Sequence, residues 1–439
     1  MKKILGIVGC LLVLLLAFAA CSSDDGEDNI NGLIVEKQGD KEKIYKVYTA
    51  KGLMEFADSM SCLKKQNVDI RITLSLQNDI DMSVLPNNIS GGNWRPVKVP
   101  TGYYIILEGN NHVVKGLKIR YIEGLKDYGL FENVTARYVT FEDVDIDVNI
   151  PKQQETNTGS YYVGTIAGQG NAYNSFLKSG QVCCQTKVSN VYIGGVVGHG
   201  VGRDCHSNLD LLVKNESQGD VYVGGFAGNL GKDSYDVTKL STSGSIKVEG
   251  ADVYVGGLAG ETGEIMLYCS SAASIEVSGG DSYAGGLVGR TFFCELLICC
   301  YFNGILTGTL GNVGGLVGTG YPYTPTFISC FADANIMGKR KGGLVGITNK
   351  SQVEGYFCGT TMGLPNIGDG GTVYPKDSPN NLSLRSIYEM LTSKEANSCI
   401  LDYYNEPYPN GRTVEGKNNN DCIWKITDSG KLRLWYQYD

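Results

Sequence analysis

The chain runs to 439 residues, with 46 acidic against 38 basic side chains and a net charge of −8 at pH 7. That balance argues against nucleic acid and anionic lipid surfaces as partners, because both call for a basic face. Apolar residues make up 42% of the chain, ample for a large core, and the length alone would allow two or three domains.

The first element is a leader. Lys2 and Lys3 precede an apolar run from Ile4 to Ala20, the charged and hydrophobic parts of a secretory signal peptide spanning residues 1–20. The run is marginal for a membrane-spanning helix, and no basic stop-transfer flank follows it. Its end, Phe18-Ala19-Ala20-Cys21, resembles the lipobox of bacterial lipoproteins. That resemblance implies cleavage before Cys21, lipidation of Cys21 and a lipid anchor in the outer membrane. Residues 21–43 form an acidic tether opening with Ser22-Ser23-Asp24-Asp25-Gly26-Glu27-Asp28. It is similar to the signal that sends many Gram-negative lipoproteins to the outer face of the outer membrane, although any such charge run would be solvated.

Residues 44–127 read as an N-terminal cap and the first coils. Thr49 is placed to N-cap a helix carrying Leu53, Phe56, Ala57 and Met60 along one side.

Residues 128–370 hold the dominant signal. A hydrophobic residue, two small residues, two apolar residues and a glycine recur seven times, from Val163-Gly164-Thr165-Ile166-Ala167-Gly168 to Lys341-Gly342-Gly343-Leu344-Val345-Gly346. First glycines are 30, 30, 32, 29, 29 and 28 residues apart. Self-similarity at that period means a stacked solenoid. Runs such as Ser274-Ile275-Glu276-Val277 alternate polar with apolar, and nothing between the motifs is long enough for a helix, so each unit is a coil of strands. The expected fold is all-β: a right-handed parallel β-helix with short capping helices at both ends. Residues three apart on a straight strand face opposite ways, yet Val223 and Phe226 are both apolar. The chain must therefore bulge or turn between them, and the glycine pair allows such a corner. Lys341, where earlier copies are apolar, suggests the interior closing at the last motif.

Two vertical columns follow from the register. Cys205, Leu240, Cys269, Cys299, Cys330 and Cys358 are each followed six residues later by Leu211, Ile246, Ile275, Ile305, Ile336 and Leu364. Both sets are expected inside, with cysteine acting as a small buried hydrophobe and mostly free; neighbours one coil apart are nonetheless within disulfide reach, and export permits oxidation. The second column is aromatic. Tyr162, Tyr192, Tyr222, Tyr254 and Tyr283 stand two residues before the first glycine in five consecutive copies, followed by Asn312 and Arg340. Pleating turns these rings outward. They either stack rung on rung or present an aromatic platform to a glycan or protein ligand.

Residues 371–439 complete the chain as a C-terminal cap. Ser383 can cap a helix with Ile387, Met390 and Leu391, and Trp424-Lys425-Ile426 with Leu432-Arg433-Leu434-Trp435 frames a hairpin around Asp428-Ser429-Gly430. Cys399 and Cys422 could staple this cap.

The Gly-Gly-Leu-Val/Ala-Gly copies resemble the GLUG motif of bacterial surface proteins, also found in a non-catalytic region of some IgA-cleaving metallopeptidases. The leading segment is similar too: Tyr48-Thr49, Asn78-Asp79-Ile80-Asp81, Trp94-Arg95-Pro96, Leu107 to Leu117 and Tyr128-Gly129-Leu130-Phe131. The resemblance covers roughly residues 44–360 and departs from the pattern at Thr165 and Lys341. It implies surface display, adhesion or ligand binding, with no shared catalytic residues.

Enzymatic readings find less support. The only histidines are His112, His199 and His206, and none forms the His-Glu-x-x-His of a zinc protease. His199, Cys205 and His206, with Cys183 and Cys184 a coil earlier, could meet at a metal, but Cys205 belongs inside by register. No metal and no cofactor is expected. Polysaccharide-cleaving enzymes also use β-helices, so the outward Asp145, Asp147, Asp210 and Glu276 are candidate carboxylates for a runner-up lyase or hydrolase; a passive stalk is the third reading. The leading expectation is a non-catalytic surface lipoprotein that binds glycan or host protein.

Overall fold

A computed structural model describes residues 32–152, 159–231, 237–292, 294, 296–309, 311–321, 324–349, 352–368, 372–374, 382–405, 423–426 and 432–437. Cys21, the leader, most of the tether and Cys422 lie outside the described residues, as does the Asp428-Ser429-Gly430 turn.

One coil shows how the sequence makes the shape. In the strand Val191–Gly194, Val191 and Ile193 are fully buried while Tyr192 between them points out. Gly194 and Gly195 then turn the chain, so that Val196 and Val197 both face the core. The strand Val197–Gly200 leads into Gly202–Asn208 and finally into Asp210–Asn215, whose residues alternate exposed and buried along their whole length. The next coil repeats this in register, pairing Tyr192 with Tyr222 and Leu211 with Ile246 in parallel. Even the corner is bonded coil to coil, with Val196 N–H donating to the Phe226 carbonyl at 2.9 Å. The result is a parallel β-solenoid. Two eight-stranded sheets run along it, and a third, 27-stranded sheet forms a longer face.

The glycine pair is required by approach distance. A Cβ on Gly225 would stand 2.3 Å from the Gly257 carbonyl oxygen, and one on Gly257 2.2 Å from that of Gly286. The closing glycine of each motif has a different neighbour. A Cβ on Gly228 would lie 2.4 Å from the amide nitrogen of Ile193 and 2.7 Å from the Cα of Tyr192. The strands on either side of the corner therefore touch on their outer side, and the solenoid surface folds into a groove along that line.

The buried column differs from expectation at one coil. Cys205 stands beside Leu240, and Cys269 and Cys300 are linked by the Cys269 N–H to the Cys300 sulfur at 3.5 Å. Cys300, not Cys299, faces in, and six residues on it is Leu306 that is buried while Ile305 is 52% exposed. The reason is a bend. The residue before each column member is left-handed without being glycine: Asp204, Lys239, Tyr268, Cys299, Ser329 and Phe357 have φ between 51° and 57°. Cys299 takes the bend and turns outward. The column thiols Cys205, Cys269, Cys300, Cys330 and Cys358 are free.

At the front, the helix α1 (Ala50–Ser61) closes the core with Leu53, Phe56 and Met60, and Thr49 Oγ1 accepts from the Gly52 N–H at 3.1 Å. At the back, the stack does not close at Lys341. One more partial coil follows, with Leu344 N–H donating to the Asn366 carbonyl and Ile367 paired with Val345 and fully buried. Ser383 caps α2 (Leu384–Leu391), and α3 (Lys394–Asn405) follows. The hairpin strands Trp424–Ile426 and Leu432–Leu434 pair antiparallel. This C-terminal segment is more than an end cap, because it lies along the flank of the solenoid. Trp424 packs edge-on against Tyr301 and Phe331 at 5.7 and 5.6 Å, and the Tyr436 hydroxyl donates to the Tyr268 carbonyl.

Candidate functional site: a tyrosine-walled groove

The five tyrosines form one continuous stack. Ring centroids of successive pairs from Tyr162 to Tyr283 are 5.3, 4.7, 5.1 and 5.0 Å apart, with interplanar angles of 14°, 6°, 12° and 6°. Parallel in-register strands put equivalent side chains one coil apart, close to ring-stacking distance. Both faces of the three middle rings are consequently covered by their neighbours. What the ladder turns toward its surroundings is a row of ring edges and hydroxyls.

The opposite wall of the groove comes from the residue directly after each of the first six motifs, with Asn133 in the same register one coil earlier. Asn133, Gln169, His199, Asn229, Glu261, Arg290 and Thr319 succeed one another in register, one per coil. Sequence reasoning missed this row, although its signal is plain: a polar residue follows the closing glycine in copy after copy.

Midway along, the two walls are tied together. Arg290 donates through Nε to Glu261 Oε2 at 2.7 Å and through a terminal nitrogen to the same oxygen. Asn229 Nδ2 donates to the other Glu261 oxygen at 2.8 Å. Arg290 also stands 3.8 Å from Asp220, whose carboxylate accepts the Tyr222 hydroxyl at 3.0 Å. The Arg290 guanidinium carbon is 5.0 Å from the Tyr222 centroid and 4.6 Å from that of Tyr254. Those rings are themselves 5.1 Å apart, so the guanidinium sits beside the stack and not over a ring face. This clamp leaves Tyr222 only 3% exposed, against half-buried Tyr162, Tyr192, Tyr254 and Tyr283. Burial pushes the Tyr192 hydroxyl up to about 12 and also raises Tyr222, Tyr254 and Tyr283, so these four stay protonated and able to donate.

At its front end the ladder stops. Asp127 pairs with Tyr162 in the register of a sixth ring. Gln169 Nε2 donates to its carboxylate at 2.8 Å, drawing it toward the polar wall. Burial raises the Asp127 carboxyl, and the Gln169 hydrogen bond and Lys126 only partly offset that. Glu132 precedes Asn133 and so holds the place taken by the closing glycine in later coils. Its carboxyl is raised by burial and then by the charge of Asp127, with Lys98 and Arg95 opposing.

The remaining candidates scatter. His199 leans on Tyr162 in the groove, its ring centroid 5.8 Å away. Cys205 is inside the core, and His206 sits on another face, 2.9 Å from the Ser241 hydroxyl. These three do not converge, and among the described residues no group of three or more His, Cys, Asp and Glu side chains is arranged to hold a metal. Asp145, Asp147, Asp210 and Glu276 lie on the outer face of one eight-stranded sheet, where Asp147, Cys183, Leu212, Lys214, Lys247 and Glu276 help to line a shallow open depression. Asp147 and Glu276 share a row but stand four coils apart, roughly 19 Å at one strand spacing per coil. Asp145 is bound by Arg120 at 2.5 Å. Burial alone would raise its carboxyl, but Arg120, Gln181 and Lys118 outweigh that and hold it below the usual range, the reverse of what a general acid needs.

Among the described residues no helix is long and apolar enough to cross a membrane. No protein-family model matches the chain, and no curated protein matches it. A solved structure from Bacteroides ovatus, described as a "putative immunoglobulin A1 protease", is similar at 17% identity, covering 90% of this chain and 93% of that one with a TM-score of 0.46.

Proposed function

We propose that this protein is a non-catalytic surface lipoprotein of the GLUG-motif kind, anchored in the outer membrane through Cys21, whose groove binds glycan or protein ligands outside the cell. One observation carries the reading. A column of five tyrosines runs beside a row of carboxamide, imidazole, carboxylate and guanidinium side chains, both in register coil after coil. A surface that repeats its donors and acceptors at a fixed rise suits an extended ligand with its own repeat, and concave sites with few oriented polar groups are where ligands bind. The scattered carboxylates on the outer sheet favour retention over cleavage.

The test replaces Tyr192, Tyr222 and Tyr254 together by serine and measures binding to a glycan array and to host cells. Loss of binding by a folded variant supports the groove. Unchanged binding removes it and leaves the passive stalk, which the mutual stacking of the rings favours. Turnover of any array glycan would instead favour a polysaccharide-acting enzyme. Localisation is tested separately. Protease added to intact cells should degrade the protein, and Cys21→Ser should abolish incorporation of labelled fatty acid.

A further inference from the structure

The tyrosine ladder has two ends, and at the front one the ring gives way to an acidic rung. Tyr162 is the terminal ring. Its ring contacts are Tyr192 behind and His199 at a tilt of 50°, so the face toward the first coil meets no ring. The residue there is Asp127, a short carboxylate where each of the next five coils carries a phenol. The Gln169 amide holds that carboxylate toward the polar wall. A Cβ on Gly168 would lie 2.6 Å from the Cβ of Asp127, which shows where a side chain at this motif position points: at the ladder residue one coil ahead. In the first coil that position is Glu132, so its side chain is directed ahead of Asp127, on the side away from Tyr162. Asn133 is exposed beside it.

We propose that this notch is a subsite for a single pyranose ring, which stacks on the free face of Tyr162 as the next rung of the ladder. Asp127 and Glu132 accept its hydroxyls, and the Asn133 side chain supplies a neutral amide. The chemistry is complementary in each part. A pyranose offers an apolar C–H face of about the size of a phenol ring, together with hydroxyl donors around its edge. The notch offers an aromatic face and, beside it, carboxylates that burial keeps poorly solvated. The inference rests on the groove being the ligand site, and it adds the ligand's class and its position. Because the rings behind Tyr162 are closed to one another and clamped by Arg290 and Glu261, the subsite takes one sugar at the end of the stack, not a chain threaded between rungs.

The experiment uses the full chain and a panel of methyl pyranosides, neutral and N-acetylated, read by saturation-transfer NMR and titration. Irradiating the tyrosine ring protons should transfer to sugar ring protons for at least one member of the panel. Tyr162→Ala should weaken that sugar at least tenfold. Asp127→Tyr is the sharper variant, since it adds the missing ring: it should fold, melt no lower than the parent, and weaken binding at least tenfold by filling the notch. Leu212→Ala, on the outer sheet, should leave the affinity unchanged. Absence of transfer to every pyranoside, or undiminished binding by Asp127→Tyr, overturns the proposal. If Asp127→Tyr still binds array glycans while the triple tyrosine variant does not, the subsite falls and the groove reading survives.

Discussion

At the scale of single residues, the buried cysteines are better described by their hydrogen bonds than by their hydrophobicity. Each column thiol donates across the left-handed bend to the carbonyl two residues earlier: Cys205 to Arg203 at 3.2 Å, Cys269 to Leu267 at 3.3 Å, Cys300 to Ile298 at 3.2 Å and Cys330 to Ile328 at 3.3 Å. Ser175 makes the same bond to Tyr173 at 2.9 Å one coil before Cys205. The short side chain adds a second donor to carbonyls that the coils already share, since Arg203 accepts the Asn174 N–H, Ile298 the Tyr268 N–H and Ile328 the Cys299 N–H, each at 2.9 Å; leucine at position 240 adds no such bond. Cys330→Ala should cost about 1–3 kcal/mol, since it removes a buried hydrogen bond to the Ile328 carbonyl and opens a small cavity, whereas Cys330→Ser should cost clearly less; urea unfolding of both variants decides it, and equal losses would refute the role. This was invisible in the sequence, because most of the bends fall on Lys239, Tyr268, Cys299 and Phe357, residue types that do not announce a positive φ. The serine at position 175 was the available hint. Burial also pushes the Cys184 and Cys205 thiols up to about 12, so neither should react with iodoacetamide in the native protein at pH 8, while unfolding should expose both. Mass spectrometry of native against denatured alkylation checks this.

At the scale of elements, the glycine motif carried most of what could be read, and it did so because it reports a steric limit. The spacing of the motifs foretold parallel coils, the corner, and a tyrosine column in register, all of which depend on which positions must approach backbone. Gly225→Ala should be among the most damaging substitutions in the chain, at about 3 kcal/mol or more, because its Cβ would stand 2.3 Å from a carbonyl oxygen that has no room to retreat. A loss of less than about 1 kcal/mol in the melting of that variant would mean the coils can part. Spacing was a poorer guide where two residues of one type are adjacent, as at Cys299 and Cys300, since type alone cannot say which one takes the bend. The groove's polar wall was legible but went unread, and its pairing with the tyrosines depended on a concave corner that no local pattern specifies. The outer sheet adds a pH prediction. Asp145 has its carboxyl lowered in the folded state by Arg120, Gln181 and Lys118 against the opposing effect of burial. Its contribution is thus fully present above the ordinary value near 3.8 and is lost as pH falls through the lower folded value. Asp145→Asn should flatten the stability profile below about pH 4 and leave its slope at pH 7 unchanged.

At the scale of the whole molecule, the solenoid is a row of similar units, and its stability should vary along the row according to what covers each flank. The residues at the left-handed bend vary along the row: Asn174, Asp204 and Lys239 are polar, whereas Tyr268, Cys299 and Phe357 are not, with Ser329 a polar exception in the second half and Tyr138 an aromatic one at the front. The C-terminal segment explains Tyr268 and Cys299. Trp424, Leu432 and Leu434 pack with Tyr268, Cys299, Tyr301, Ile328 and Phe331 in a second core outside the solenoid, and the Trp424 indole donates to the Ser329 hydroxyl at 3.0 Å. Lys239, beside Trp435 and Tyr436 at 5.8 and 5.6 Å, marks the coil where the cover ends. In a linear array each coil is held by its own packing and by its neighbours, so removing a cover from one half should loosen that half first. Trp424→Ala deletes the largest fully buried side chain of this second core and should cost about 3–5 kcal/mol if the array melts as one unit. Its coil-by-coil effect is more telling. Amide hydrogen exchange should accelerate across residues 266–360, where the segment packs, and stay near the parent's rate across residues 105–215, where it does not reach. Uniform acceleration along the chain would show instead that the solenoid unfolds as a single cooperative block, and that the flank stabilises every coil equally.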